Sequence, residues 1–359
     1  MTDAAFSAHD ETAVGAQYEK LPGALLPWYG ANARALPWRE NTEPYRVWLS
    51  EIMLQQTRVE AATAYYLRFL AALPTIRALA QAPEQQLLKL WEGLGYYTRA
   101  RNLQKAARII TEQYGGDFPI GFEDIRALPG VGEYTAGAVA SICFEQPTPA
   151  VDGNVLRILA RITEDTTPVD GDAVKRRAAA RLKAVYPERG RRGAFTQALM
   201  ELGATVCTPQ SPRCAVCPAA DFCFAAKSGT QTLLPVRPKK KPRRAEDRTV
   251  LLLRCGDCLA LTRRPDSGLL RGLWQLPDAV GVLDADAALQ AAAAWGVRPL
   301  SIAALPPRRH LFTHVEWDMR GYLVSCGARD DRFVWETPAD IRARYALPTA
   351  YRVFLSDCL

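Results

Sequence analysis

Histidine is scarce in this 359-residue chain: His9, His310 and His314 are all it has. None lies near the clustered cysteines, so a metal held there would be held by thiolates alone, without imidazole. Long apolar runs are lacking as well. Although 48% of the residues are hydrophobic, no stretch approaches the roughly 18 residues that a membrane-spanning helix needs. The opening MTDAAFSAHDETAVGA has neither the basic start nor the apolar core of a signal peptide, and predicts a flexible tail over residues 1–19 of a cytoplasmic protein. Period-2 alternation is missing before about residue 248, which excludes an all-β architecture for the longer part of the chain. Acidic residues are outnumbered, and the formal charge of +7 favours a polyanionic partner without requiring one.

What is present is mostly helical. Residues 20–36 predict a first helix stopped by Pro37-Trp38-Arg39, and 45–70 predict one long helical stretch. Further helices are expected near 75–80, 84–92, 98–114, 122–127, 154–163, 172–186 and 193–206. From 248 the texture changes: TVLLLRC and CLALTRR form a hairpin about Cys255-Gly256-Asp257-Cys258. An alanine-rich helix near 284–294, strands in RHLFTHVEWDMRGYLVSC and DRFVWE, and a helix near 348–356 follow. The expected organisation is therefore multidomain. An all-α core over 20–227 and a linker over 228–247 precede an α+β domain over 248–359. Six basic residues fall between Arg237 and Arg244 of the linker; such runs are usually solvated spacers, but beside a nucleic-acid site one would touch phosphates.

The helical core is organised around residues 128–155, LPGVGEYTAGAVASICFEQPTPAVDGNV. Pro129-Gly130-Val131-Gly132 is a turn whose glycines can take φ > 0 and let another backbone approach. The helix pattern from Glu133 would point free N–H groups outward, as an anion site does. A lone carboxylate, Asp152, follows. Glu51 lies among Val47, Trp48 and Leu54 at helical offsets; it is either an ordinary half-exposed glutamate or an acid whose desolvation raises its pKa enough to donate a proton near neutrality. Gly93-Leu94-Gly95-Tyr96-Tyr97 presents two rings, for core packing or for stacking on bases.

Nine cysteines argue for metal more than for disulfides in a cytoplasmic chain. Four of them cluster as Cys207-x6-Cys214-x2-Cys217-x5-Cys223. Four thiolates suit tetrahedral zinc or a 4Fe-4S cluster, and this compact single-loop spacing, without two separated CxxC knuckles, favours the cluster.

LPWR at 36–39, WLSEIMLQQT at 48–57, GLGYYTRARNL at 93–103, LPGVGEYTAGAV at 128–139, VDGNV at 151–155 and the cysteine loop together resemble the MutY family of adenine DNA glycosylases. That family belongs to the helix-hairpin-helix superfamily shared with endonuclease III. The resemblance is close over about 20–230 and looser beyond. It implies removal of adenine mispaired with 8-oxoguanine or guanine in duplex DNA by a monomer. It also implies a six-helix barrel, an iron–sulfur subdomain with a structural 4Fe-4S cluster on the loop 207–223, and a Nudix-like (MutT-like) domain that reads the oxidised guanine. By the same resemblance Glu51 is the acid, Asp152 the stabiliser of oxocarbenium charge, and Tyr134 and Asn154 residues that position the nucleophile or the second carboxylate. Arg39, Leu54 and Gln197 match adenine-pocket positions; Gln55 matches a DNA-binding position, and Gln56 and Tyr96 the residues that wedge into the base stack. Gly130 and Gly132 would bring hairpin amides to a DNA phosphate, with a bound monovalent cation.

Three departures matter. The lyase members of the superfamily need a lysine just after the hairpin to form a Schiff base; here that slot is Tyr134, which disfavours the rival endonuclease III-like glycosylase/lyase acting on oxidised pyrimidines. No glutamate occurs between Glu246 and Glu316, so the C-terminal domain lacks the glutamate-rich helix that holds a Nudix magnesium. The triplet expected to contact 8-oxoguanine is Phe312-Thr313-His314, with threonine where the family commonly has serine.

Overall fold

The computed structural model describes residues 9–238 and 242–356. The first eight residues of the expected tail, the linker lysines 239–241 and Cys358 lie outside them. The described residues fall into two compact units: one runs to Gln81 and resumes at Asn102 up to the linker, and the other holds 82–101 with the chain from 242 onward.

The first helix, α1 (Glu11–Asn32), starts well before residue 20, so the expected tail is helical from Glu11. Asp10 caps it, accepting from the Ala13 amide at 2.7 Å. Val14, Tyr18, Leu21 and Leu25 recur at helical spacing and are all buried, which is the order that a reading of MTDAAFSAHDETAVGA as a polar tail overlooks. The predicted 45–70 helix is two helices, α2 (Pro44–Leu54) and α3 (Val59–Ala72). Between them Gln56 takes φ 62°, a left-handed backbone that ends α2 without any glycine or proline to announce it.

Along the chain follow α4 (Ile76–Gln81), α5 (Glu84–Leu90), α6 (Thr98–Gln113), α7 (Phe122–Ala127), α8 (Glu133–Phe144), α9 (Gly153–Ile162), α10 (Asp172–Ala184), α11 (Arg192–Thr205) and α12 (Phe224–Ser228). In the first unit α8 packs on α2, α7 and α11, while α1 and α9 close on α11. Val155, Ile158 and Leu159 of α9 share a core with Leu21 and Leu25 of α1 and with Leu199 and Leu202 of α11. Gly137 allows the closest approach: a Cβ there would lie 2.3 Å from the Pro149 carbonyl oxygen, so any side chain would push the 145–152 segment, and Asp152 with it, off α8.

The second unit is a sheet with helices on both faces. Its strands are β1 (Arg244–Cys255), β2 (Cys258–Arg263), β3 (Trp274–Gln275), β4 (Asp278–Val280), β5 (Pro299–Leu311), β6 (Val315–Cys326) and β7 (Val334–Glu336). The order is β3-β2-β1-β6-β5, with β4 on β1 and β7 on β2; β1 and β6 run parallel and the other pairs antiparallel. Val250 and Leu252 pack against Trp317, Tyr351 and Phe354, the last two from α15 (Thr349–Leu355). Leu251 and Leu253 pack on the other face against Ala288 and Ala292 of α13 (Ala285–Ala294). Burial on both faces is why β1 reads as an unbroken apolar run. The hairpin pairs Cys255 with Cys258 as expected. A short helix, α14 (Pro338–Arg344), has no counterpart in the sequence reading.

Residues 82–101, read from sequence as part of the helical core, are fastened to the sheet-bearing unit. Lys89 Nζ donates to the Tyr345 carbonyl at 3.1 Å, the Leu347 amide donates to Glu92 at 2.9 Å, and Arg101 Nη1 donates to the Arg271 carbonyl at 2.9 Å. Among the described residues no helix is long and apolar enough to cross a membrane.

Candidate active site

Glu51 occupies the last turns of α2, where α8 covers it, and is only 7% exposed. Burial is the largest influence on its carboxyl and pushes it up to about 7. A hydrogen bond from Tyr134 opposes this, the charge of Asp152 adds to it, and the Arg39 guanidinium opposes it. Glu51 therefore keeps a proton to much higher pH than an ordinary glutamate, the form in which a carboxyl can act as a proton donor. Tyr134 stands in the first turn of α8 and is held well above its ordinary value by burial and by the charges of Glu51 and Asp152. It stays a neutral phenol that donates to Glu51.

Asp152 caps α9. Its Oδ1 accepts from the Asn154 and Val155 amides, each at 2.8 Å, and its Oδ2 accepts from Asn154 Nδ2 at 2.7 Å. Three donors therefore fix the carboxylate, in the orientation the helix dictates. Asn154 is fixed in turn by Arg157 Nη2, which donates to its Oδ1 at 3.0 Å. The buried Arg157 continues to the carbonyls of Gly203 and Cys207, both at 2.9 Å. Gly203 has no side chain because a Cβ there would lie 2.9 Å from that of Asn154. A continuous hydrogen-bonded chain thus links Asp152 to the backbone of Cys207.

A polar wall stands on α11. Glu201, wholly buried, receives Arg34 Nε at 2.6 Å, Arg34 Nη2 at 3.0 Å and Arg39 Nη2 at 2.8 Å. Burial alone would raise its carboxyl, but the two guanidinium groups outweigh that and hold it below its usual range. One turn earlier, Gln197 Oε1 accepts from the Tyr29 hydroxyl at 3.1 Å, and the Arg39 guanidinium lies 5.6 Å over the Tyr29 ring. Leu54 ends α2. Sequence reasoning named Arg39, Leu54 and Gln197 and missed Arg34, Glu201 and Tyr29. The signal that could have found them was Glu201, an acid four residues after Gln197 on an otherwise apolar helix face.

The hairpin turn differs in part from expectation. Gly130 does take φ 78°, and a Cβ there would lie 2.7 Å from that of Asn102. Gly132 does not: at φ −97° it is an extended N-cap for α8 with open space around it, so close approach depends on Gly130 alone. Gln55 Nε2 donates to Thr135 Oγ1 at 3.4 Å, tying the break after α2 to the start of α8.

In the second unit, Tyr96 has a left-handed backbone at φ 47°, the same rare state as Gln56 in the first. Its hydroxyl bonds the hydroxyl of Thr313, bringing together two residues singled out separately in the sequence. Thr313 and His314 form the turn between β5 and β6; the Phe312 ring packs edge-on at 4.8 Å against the buried Trp317, over which Arg248 lies at 4.7 Å. The His314 carbonyl accepts from the Arg244 amide at 3.0 Å.

The four clustered cysteines line one cavity with Arg161, Ile158, Leu202 and Val206. Cys217 is raised to about 12 by burial, against a backbone N–H of Ala219 and with the other three thiols adding to the rise. Arg161 Nη1 lies 3.3 Å from Cys207 Sγ, and amides of Ala225 and Ala226 face Cys223. N–H donors aimed at sulfur from three sides fit a thiolate-held group. Among the described residues no trio of Cys, His, Asp or Glu converges closely enough to hold a single metal ion.

Comparison with known proteins fits this geometry. Residues 49–184 match the HhH-GPD superfamily base excision DNA repair protein family, and 249–357 match the NUDIX domain. The human adenine DNA glycosylase is 36% identical over 86% of this chain and 67% of its own length. The rat enzyme is 33% identical over 92% of this chain and 77% of its own. Among solved structures, a thermostable thymine-DNA glycosylase superposes with a TM-score of 0.54 at 25% identity, covering 60% of this chain and 99% of that one. An endonuclease III trapped on DNA superposes with a TM-score of 0.51 at 23% identity over 60% of this chain and 98% of its own, a likeness of fold. With the helix-hairpin-helix core, the Nudix-like domain and relatives of this name matched over most of its length, the chain belongs to the adenine DNA glycosylase family.

Proposed function

We propose that this enzyme extrudes adenine mispaired with 8-oxoguanine or guanine from duplex DNA and hydrolyses its N-glycosidic bond. The observation that carries the reading is the pair Glu51 and Asp152. One carboxyl is buried and held near 7, while the other is fixed by three donors and is close enough to raise the first. Adenine is a poor leaving group as an anion and a good one once N7 is protonated; neutral Glu51 supplies that proton. The deoxyribose left behind carries oxocarbenium character, which ionised Asp152 stabilises, and water completes the hydrolysis. Tyr134 donates to Glu51 and eases release of its proton, and Asn154 keeps Asp152 oriented.

Extrusion costs a few kcal/mol of stacking and pairing. Gln56 and Tyr96, with their left-handed backbones, would fill the gap, Gln55 would line the DNA beside them, and Arg39, Leu54 and Gln197 would receive the base. Gly130, at φ 78°, and the open N-cap Gly132 would let hairpin amides, with a monovalent cation, hold a DNA phosphate. Thr313, flanked by Phe312 and His314, would read 8-oxoguanine through its hydroxyl after releasing Tyr96. Cys207, Cys214, Cys217 and Cys223 would hold a 4Fe-4S cluster that stiffens a DNA-facing loop and takes no part in bond cleavage.

Single-turnover excision on A:8-oxoguanine, A:guanine and thymine-glycol duplexes with one preparation tests the reading. Adenine release with little borohydride trapping is expected, since a phenol at position 134 forms no imine. Efficient trapping, or thymine-glycol as the preferred substrate, would overturn it. Iron analysis and an absorption band near 400 nm test the cluster; stoichiometric zinc without iron would reject it.

A further inference from the structure

The linker brings a cation to the rim of the catalytic centre. Leu234 is buried in the core of α1, α9 and α11, with Val236 packed beside it. The Leu234 carbonyl accepts from Arg161 Nε at 3.0 Å, and the Val236 carbonyl accepts from the Val169 amide at 3.2 Å. The segment 234–236 is thus fastened at both ends, and the next residue, Arg237, is exposed in a defined place. One of its terminal nitrogens would lie 3.5 Å from a Cβ on Gly153, the residue that follows Asp152. Its charge is felt by buried Arg157, two like charges brought near each other. Among the described residues no carboxylate forms an ion pair with Arg237.

We infer that Arg237 is a phosphate-binding residue of the excision reaction, taking a DNA phosphate that flanks the extruded nucleotide. The inference rests on the adenine-excision reading. The sign of the charge supports it: an unneutralised guanidinium beside Gly153, the residue after Asp152, would oppose a cationic sugar stabilised at Asp152. A backbone phosphate removes that penalty, and it is the one anion every substrate brings to the spot. The six-residue basic run of the linker then divides, with Arg237 docked on the core and the rest beyond the anchor.

The test uses the full chain, wild type and Arg237→Gln, binding a duplex with a non-hydrolysable 2′-fluoro-deoxyadenosine opposite 8-oxoguanine between 50 and 200 mM KCl. Removing one phosphate-binding cation should lower the slope of log affinity against log salt by about 0.9, which is roughly eightfold in affinity at 0.1 M. Arg237→Lys should restore the slope. An unchanged slope overturns the inference. If Tm also falls, Arg237 is a structural residue; if it does not, Arg237 is a solvated linker charge. The slope is read on binding alone, so a wild-type chain unable to excise adenine would sink the functional reading by a separate result.

Discussion

Glu51 and Glu201 are both buried carboxyl groups of the same unit, yet the protein drives them in opposite directions. Burial by itself does not explain this, because both side chains are buried and burial pushes both carboxyls upward. Committed cationic donors do. Glu201 takes three guanidinium N–H bonds from Arg34 and Arg39 and remains ionised. Glu51 faces one phenol, and Arg39, the nearest cation acting on it, has spent its Nη2 on Glu201. One carboxylate therefore serves as the counter-ion that makes a rigid wall, and by taking the arginine it leaves the other able to hold a proton. The acid strength of Glu51 is a property of the Glu201 site as much as of its own.

The comparison breaks most visibly in catalysis. Glu51→Gln should reduce single-turnover excision by about 10²–10⁴-fold, the range for loss of a general acid, while affinity for the mispair stays within a few-fold. Parallel loss of both would show that Glu51 is structural. Glu201→Gln should act through stability instead. It leaves the partly exposed Arg34 and Arg39 without their anion, a loss of about 1–3 kcal/mol that thermal unfolding would register as a drop in Tm. An unchanged Tm would show that the wall does not depend on this charge.

Stability against pH separates the two acids further. The folded-state value of Glu51 is raised above its unfolded one, so the penalty of charging it appears as pH rises from about 4.5 to 7 and is constant above. Glu51→Gln removes that penalty: the variant should be more stable than wild type at pH 8, by up to about 3 kcal/mol, and no more stable at pH 4. Equal unfolding curves at both pH values would mean Glu51 is not raised. Wild-type excision should fall about tenfold per pH unit above 7, as the proton it needs is lost.

Much of this is legible in the amino-acid order alone. The helices α7, α9 and α11 lie within a residue or two of expectation; Gly121 and Asp152 mark the starts of the first two, and α9 has a strong apolar period. The hidden features have no local signature. Gln56 breaks a predicted helix in a sequence, LQQT, that contains no breaker, its left-handed backbone sitting in a turn closed by the Thr57 amide on the Leu54 carbonyl at 3.3 Å. Residues 82–101 look like any amphipathic pair of helices, yet their partners lie about 170 to 260 residues away. The assignment of Arg39 to Glu201 is equally invisible, since periodicity can place an acid on a face but cannot say which distant cation reaches it.

Tyr134 offers the finest adjustment of the balance. Its phenol donates to the ionised form of Glu51 and so lowers a value that burial has raised. Tyr134→Phe removes that donor while keeping the ring, and the Glu51 carboxyl should rise further. The alkaline limb of the excision profile should then move to higher pH. The size follows from one neutral hydrogen bond, about 1 kcal/mol, which corresponds to somewhat less than one pH unit. The direction separates two roles. If Tyr134 acts on Glu51, the limb moves upward; if it acts only by placing Asp152 or the attacking water, the rate falls at every pH and the limb stays where it was. A limb displaced to lower pH would contradict both, and would mean that the phenol stabilises the neutral acid by accepting its proton.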